Sequence, residues 1–179
     1  AWSDQNGAGC RMTEYATPAR IAIALRQAGA NVEKPVLDFG CGVGLSGMAL
    51  KAVGFDVVDG TDLEVSNVET AQSCGAYRQV WLGEKDSTSH IKRGDYQVIV
   101  ACDVLRDGSA APQMLDGLLG VLASGGFMAF SIDEATLNER AYYERLDIAM
   151  LDPSLEQVFE ADGLHRSGET ATVFVFKRN

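Results

Sequence analysis

Three aspartates and a run of glycines carry the chemistry that can be read from this chain. Asp38 stands directly before "FGCGVG", residues 39–44. Asp62 stands in "VVDGTDLE", and Asp103 in "VACDVLRDG". Glycine is costly in regular structure, so Gly40, Gly42 and Gly44 at alternate positions imply a turn against which a ligand lies without meeting a Cβ. Such a loop after a strand cradles phosphate in one use. The text "GVGLSG", Gly42 to Gly47, also fits the dinucleotide fingerprint G-x-G-x-x-G. The residues before it disagree with that reading. With Gly42 as first glycine, Asp38 and Gly40 fall on apolar strand positions. With Gly40 first, the third glycine is Leu45.

An acid at the end of a strand suits a different ligand. S-adenosylmethionine has an ammonium, a carboxylate, a ribose diol and an adenine, and no phosphate. Gly40 and Gly42 would admit its methionine part and ribose, with Asp38 setting the local charge. Asp62 would accept both ribose hydroxyls, since a carboxylate has two acceptor oxygens. Asp59 competes for that role, but it reads as part of the strand, whereas Asp62 and Leu63 open the following loop. Leu63 would touch adenine or ribose. Glu84, in "WLGEK", is either an acceptor for the adenine amino group or a solvated loop acid.

These residues need elements to hold them. "TPARIAIALRQAG" reads as a helix capped by Thr17, with Pro18 in its first turn and Gly29 at its end. Val36 to Phe39 is a first strand, and Gly44 to Val53 a helix. "FDVVDG", "YRQVWL", "DYQVIVAC" and "FMAFSI" follow as strands. Between them lie a helix in "SNVETAQSCG", with Ser66 and Glu69 at capping-box spacing, and one in "PQMLDGLLGVLASGG". "TLNERAYYERLDIAM" reads as one long helix. "LEQVFEA" and "TATVFVFK" read as two closing strands paired antiparallel, giving an antiparallel edge. Alternating strands and helices imply an α/β fold, a mostly parallel sheet with helices on both faces. Its ligand lies outside the carboxyl ends of the strands, beside strand 1.

The chain has 179 residues, enough for one domain with its own core. Its net charge of −10 repels a phosphate backbone and argues against nucleic acid as a partner. No apolar run reaches the roughly 20 residues a membrane span needs. "AWSDQNGAGC" lacks the basic and apolar regions of a secretory signal, and the first residue is not Met, so the start is expected to be processed, trimmed or incomplete. The four cysteines, at 10, 41, 74 and 102, form no C-x-x-C pair, which suits reduced thiols in a cytoplasmic protein. His90 and His165 are far apart, and no metal is expected. A Mg²⁺ held by Asp103, Asp133 and Glu134, for a hydroxyl acceptor, is the alternative those carboxylates would allow.

Taken together, "VLDFGCGVG", "DGTDLE", "DYQVIVACDVL" and "LASGGFMAFSI" resemble the class I S-adenosylmethionine-dependent methyltransferases, from about Tyr15 to the C-terminus. "YRQVWLGE", "AYYERLDIAM" and "TVFVF" resemble more particularly the Williams–Beuren-region methyltransferase-like group. The resemblance implies a three-layer α/β/α sandwich, a Rossmann-like seven-stranded sheet with its last strand antiparallel. It implies a single cofactor-binding domain over residues 1–179, with 1–16 as an N-terminal lid. It implies cofactor contacts at Asp38, Gly40, Cys41, Gly42, Asp62, Leu63, Glu84 and Cys102, with the loop running to Gly44. Tyr15, or else Trp2, would close over the cofactor. The post-strand-4 loop "VLRDG" lacks the histidine of many small-molecule enzymes, and the Asn-Pro-Pro-aromatic signature of amino-methylating nucleic-acid enzymes is absent there.

The methyl group of a sulfonium is already activated, so the protein must mainly hold an acceptor in line behind it. Asp103 is the candidate general base, or else a loop anchor. The expected function is methyl transfer to a small molecule. The alternative is a cofactor-binding sensor or scaffold without catalysis.

Overall fold

A computed structural model describes residues 14–179. Trp2, Cys10 and most of the expected lid lie outside the described residues. Thirteen elements follow in chain order: α1 (Thr17–Gln27), β1 (Val36–Phe39), α2 (Leu45–Ala52), β2 (Val58–Asp62), α3 (Val65–Ser73), β3 (Gln79–Leu82), β4 (Val98–Ala101), α4 (Met114–Val121), β5 (Phe127–Asp133), α5 (Glu134–Leu137), α6 (Arg140–Leu151), β6 (Leu155–Leu164) and β7 (Thr170–Arg178). One sheet orders them β3-β2-β1-β4-β5-β7-β6.

β1 to β5 pair in parallel, and β7 runs antiparallel to both β5 and β6. The last strand is therefore antiparallel, as expected. It is not the edge, however. β7 inserts between β5 and β6, and β6 forms the rim. The burial pattern gives the reason. β7 is an almost unbroken buried run, "ATVFVF", whereas no residue of β6 is fully buried. The more apolar strand takes the position covered on both faces.

Strand alternation divides the core between the two faces. Val36, Val98, Val100, Val173 and Val175 meet Ile21, Leu25 and Leu50 of α1 and α2 on one side. Leu37, Ile99, Phe130, Phe174 and Phe176 meet Leu115, Leu118 and Leu146 of α4 and α6 on the other. The result is the three-layer α/β/α sandwich.

Local differences have physical causes. The N-cap of α1 is Ala16, and Thr17 is turned to another bond described below. α3 starts at Val65, so Ser66 and Glu69 lie inside it and no capping box forms. β2 begins later and reaches Asp62, which makes that acid the last strand residue rather than the first of the loop. The long helix is divided into α5 and α6 at Asn138–Glu139. Asp133 accepts from the Thr136 N–H at 2.7 Å and starts a separate short turn.

Candidate functional site

Strand order reverses between β1 and β4, and a cavity of about 730 Å³ opens at the carboxyl ends of β1, β2 and β4. This is the place and size of a small-molecule site. Its wall includes Tyr15, Gly40, Cys41, Gly42, Asp62, Leu63, Glu84, Cys102 and Asp103, so nine sequence-derived candidates meet at one opening. Asp38 and Gly44 do not line it.

The glycines divide by role. Gly42 has φ +52°, and a Cβ added there meets nothing within 4 Å, so its bare face looks into the open space. A Cβ on Gly40 would lie 2.4 Å from Val104 Cγ2, and one on Gly44 would lie 2.9 Å from Cys74 Sγ. Gly40 lines the cavity with its missing Cβ turned to Val104, Gly44 lies off the wall against Cys74, and Gly42 alone of the three has an added-Cβ position clear of protein.

Asp38 also needs correction. It is fully buried, and its Oδ2 accepts from Ser46 Oγ and from Tyr77 OH, each at 2.6 Å. Tyr77 OH accepts in turn from the Gly47 N–H at 3.0 Å. Burial pushes the Asp38 carboxyl up to about 6, against the pull of the Ser46 and Tyr77 hydrogen bonds. The same burial, with Asp38 beside it, raises the Tyr77 phenol well above its ordinary value. Asp38 thus ties β1 to α2 and to the segment before β3, from behind the cavity wall. Its Oδ1 is buried with no hydrogen-bond partner among the described residues.

Asp62 does face the cavity. Its Oδ2 accepts the Gly42 N–H at 2.9 Å, and its Oδ1 accepts the Glu64 N–H and Asn67 Nδ2, each at 3.0 Å. A carboxylate has about four lone-pair sites. Three are engaged, which leaves room for one ligand hydroxyl at Oδ2 rather than two. A carboxylate on the Gly42 N–H also puts negative charge where a pyrophosphate would need donors, which disfavours a dinucleotide. Asp59 is excluded from the site. It is fully buried, paired with Arg78 at 2.5 Å, and accepts from Tyr96 OH at 2.7 Å. Arg78 and Tyr96 hold its carboxyl below the usual range against the effect of burial. Leu63 is 44% exposed at the cavity wall, an apolar surface available to a ring. Glu84 is solvated, with His90 Nε2 at 3.4 Å.

The far end of the cavity forms around β4. Cys102 is buried, and its Sγ lies 3.3 Å from Tyr15 OH. Burial pushes the Cys102 thiol up to about 12. Asp103 has φ +59°, and its N–H donates to Ser131 Oγ at 2.9 Å. Its Oδ2 pairs with Arg166 Nη2, and its Oδ1 faces Arg106 Nε at 3.4 Å and His165 Nε2 at 3.5 Å. Both oxygens are engaged, which is the geometry of an anchor. Tyr15 lies edge-on to His165 with centroids 5.3 Å apart, and the Arg166 guanidinium sits 4.7 Å over its ring. Thr17 Oγ1 bonds His165 Nδ1 at 2.7 Å. The start of α1 is thereby fastened to the β6–β7 turn beside the cavity. Asp133 and Glu134 turn elsewhere, to Thr136 and Thr170. Among the described residues no three acids, cysteines or histidines gather as a metal site would require.

Sequence reasoning missed Ser46, Tyr77, Arg106, His165 and Arg166. The loop after β4 carries no histidine, and His165 comes beside Asp103 from the β6–β7 turn. The signal for it is "HRSG" between the two closing strands.

A family model described as "Methyltransferase domain" matches residues 12–171. Solved structures share the fold. A Thermoplasma acidophilum protein is 15% identical, with 92% of this chain and 86% of that one covered and a TM-score of 0.68. A protein described as an S-adenosylmethionine-dependent methyltransferase from Listeria monocytogenes is 15% identical over 90% of this chain and 99% of that one, TM-score 0.66. A TehB-like SAM-dependent methyltransferase from Corynebacterium glutamicum is 22% identical over 91% and 88%, TM-score 0.62. At these identities the likeness is one of fold.

Proposed function

The chain belongs to the methyltransferase-domain family, and on that premise we propose that it transfers a methyl group from S-adenosylmethionine to a small-molecule acceptor. The observation that carries the reading is Gly42: a bare main-chain wall opening into the cavity, with Asp62 bonded to its N–H. The cofactor would supply a methyl group already activated on sulfur. Asp62 Oδ2 would take one ribose hydroxyl. Leu63 would cover the adenine or ribose face, and Glu84 would accept from the adenine amino group. Gly42 would admit the chain between ribose and sulfur. Tyr15 would close the opening above Cys102 and exclude water. Asp103 would fix the acceptor end through the groups it pairs, rather than take a proton.

Calorimetry with S-adenosylmethionine and S-adenosylhomocysteine tests the cofactor, and turnover on a metabolite panel tests the reaction. Asp62→Asn should weaken both ligands by about tenfold, since a charge-assisted bond is lost. Binding of NADH, with no affinity for S-adenosylhomocysteine, would overturn the proposal. Binding of the cofactor with no product from any acceptor would assign a sensor instead.

A further inference from the structure

We propose that His165 is a positioning residue for the reaction: hydrogen-bonded by the Thr17 hydroxyl, its ring latches Tyr15 over the β4 end of the cavity. This rests on the methyl-transfer reading above and names what holds its cover in place. His165 stands in the turn between β6 and β7 and is only 3% exposed. It joins the start of α1 to the loop after β4. Its carbonyl accepts the Ala16 N–H at 3.0 Å, and its Nδ1 meets Thr17 Oγ1 at 2.7 Å. Tyr15 packs edge-on against its ring, with the two planes at 86°. Its Nε2 faces Asp103 Oδ1 at 3.5 Å. Tyr15, Ala16 and Thr17, three consecutive residues, are thus fastened to one buried histidine. Of the three, Tyr15 lines the cavity, with its hydroxyl 3.3 Å from Cys102 Sγ.

The hydrogen bonding selects one form of the ring. Thr17 is fully buried, and its hydroxyl makes no other hydrogen bond among the described residues. A buried hydroxyl proton without an acceptor is costly, so this one is satisfied by donating to Nδ1. An accepting Nδ1 leaves the ring proton on Nε2, the nitrogen that faces the Asp103 carboxylate. A charged ring would carry protons on both nitrogens and leave the Thr17 proton unused. Burial is the largest influence on the His165 pKa and lowers it. Arg166 lowers it too, while Asp103, Glu169 and Asp133 oppose. A ring held from both nitrogens gives Tyr15 a fixed surface to rest on. A ring without the Thr17 bond is free to turn, and the seat of Tyr15 turns with it.

The chain has two histidines, His90 and His165, so nitrogen NMR of labelled histidine reads this ring directly. His165 should be neutral at neutral pH, with its proton on Nε2, and should titrate below the ordinary 6.5. Surface plasmon resonance on immobilised protein gives the exchange of S-adenosylhomocysteine. In Thr17→Val that ligand should enter and leave about fivefold faster, the equivalent of one ordinary hydrogen bond, with affinity within about twofold. Thr17→Ser keeps the hydroxyl and should recover most of the wild-type rate. In a Tyr15→Leu background Thr17→Val should add nothing, because the latch acts through that ring. A wild-type ring protonated on Nδ1, or charged at neutral pH, would overturn the proposal, and this measurement needs no variant to fold. So would unchanged exchange in Thr17→Val, or additive effects of the two substitutions. Wild-type protein that binds no S-adenosylhomocysteine would sink the methyl-transfer reading and this one with it. Binding with the ring proton on Nδ1 would sink this one alone.

Discussion

Replacing Gly42 by alanine should separate ligand binding from folding, and replacing Gly40 should do the reverse. At Gly42 the added Cβ meets no atom within 4 Å, so the only cost to the free protein is the left-handed backbone at φ +52°. That cost is about 1–2 kcal/mol for an L-residue. In a domain of this size each kcal/mol lowers Tm by about 2–4 °C, so Tm should fall by about 2–8 °C. The methyl group would stand in the cavity, against the bound ligand. Affinity for S-adenosylhomocysteine should drop by about tenfold or more, equivalent to about 1.4 kcal/mol. At Gly40 the backbone is similarly left-handed, but the Cβ lands 2.4 Å from Val104 Cγ2. Overpacking adds about 1–3 kcal/mol, so Gly40→Ala should melt lower than Gly42→Ala, and Val104→Ala should recover part of the loss. Thermal melts and calorimetry on the same preparations give both quantities. Gly42→Ala protein that binds S-adenosylhomocysteine as the wild type does would show that this loop is not the ligand's wall. Equal melting of the two variants would show that Val104 is not what the absent Cβ of Gly40 accommodates.

Asp38→Asn tests the buried carboxyl. Its native pKa, about 6, lies above the ordinary 3.8. The native state therefore holds this proton more tightly than the unfolded chain. Its contribution is fully present below 3.8 and is lost as pH rises to about 6, amounting to roughly 3 kcal/mol. Over that window the wild type should lose stability relative to Asp38→Asn in urea unfolding, and a pH-independent difference would refute the assignment. Tyr77→Phe removes the hydroxyl shared by Asp38 and the Gly47 N–H. It should cost about 1–3 kcal/mol by denaturant unfolding and raise the Asp38 pKa further. Asp103→Asn should lower kcat/KM without changing the shape of its pH profile, because both carboxylate oxygens already hold cationic or polar partners. Loss of one limb of that profile would identify a base.

The order of elements and the place of the cavity were legible because they rest on local signals. β1 was delimited by its apolar run and the glycines after it, and the parallel sheet followed from alternation. That Asp62 rather than Asp59 reaches the cavity was also legible, since Asp59 lies deeper in the strand. What escaped the sequence depends on partners distant in the chain. Tyr77 meets Asp38 across 39 positions, Arg166 meets Asp103 across 63, and Thr17 meets His165 across 148. No local periodicity marks such pairs. On sequence alone Asp38 suits a ligand ammonium, because an acid at a strand's end sets negative charge beside the glycine loop. The alternative use, closing a buried network with a serine and a tyrosine, requires knowing that Tyr77 packs under Gly47 and Gly60. Thr17 looks like a helix cap on sequence alone for the same reason, since its competing partner, His165, arrives from the far end of the chain.

Asp103 joins these observations into one account of catalysis. A base at the β4 end would need a carboxylate oxygen directed at the acceptor. Here the positive φ and the Ser131 bond place both oxygens among Arg106, Arg166 and His165. In the proposed reaction, rate enhancement would come from placement, with the acceptor held in line and Tyr15 over the opening. Such a site suits an acceptor whose reacting atom carries a lone pair at neutral pH, because no proton has to leave before transfer. Removing the acid should therefore act through the groups it holds, and cofactor affinity should stay as it was.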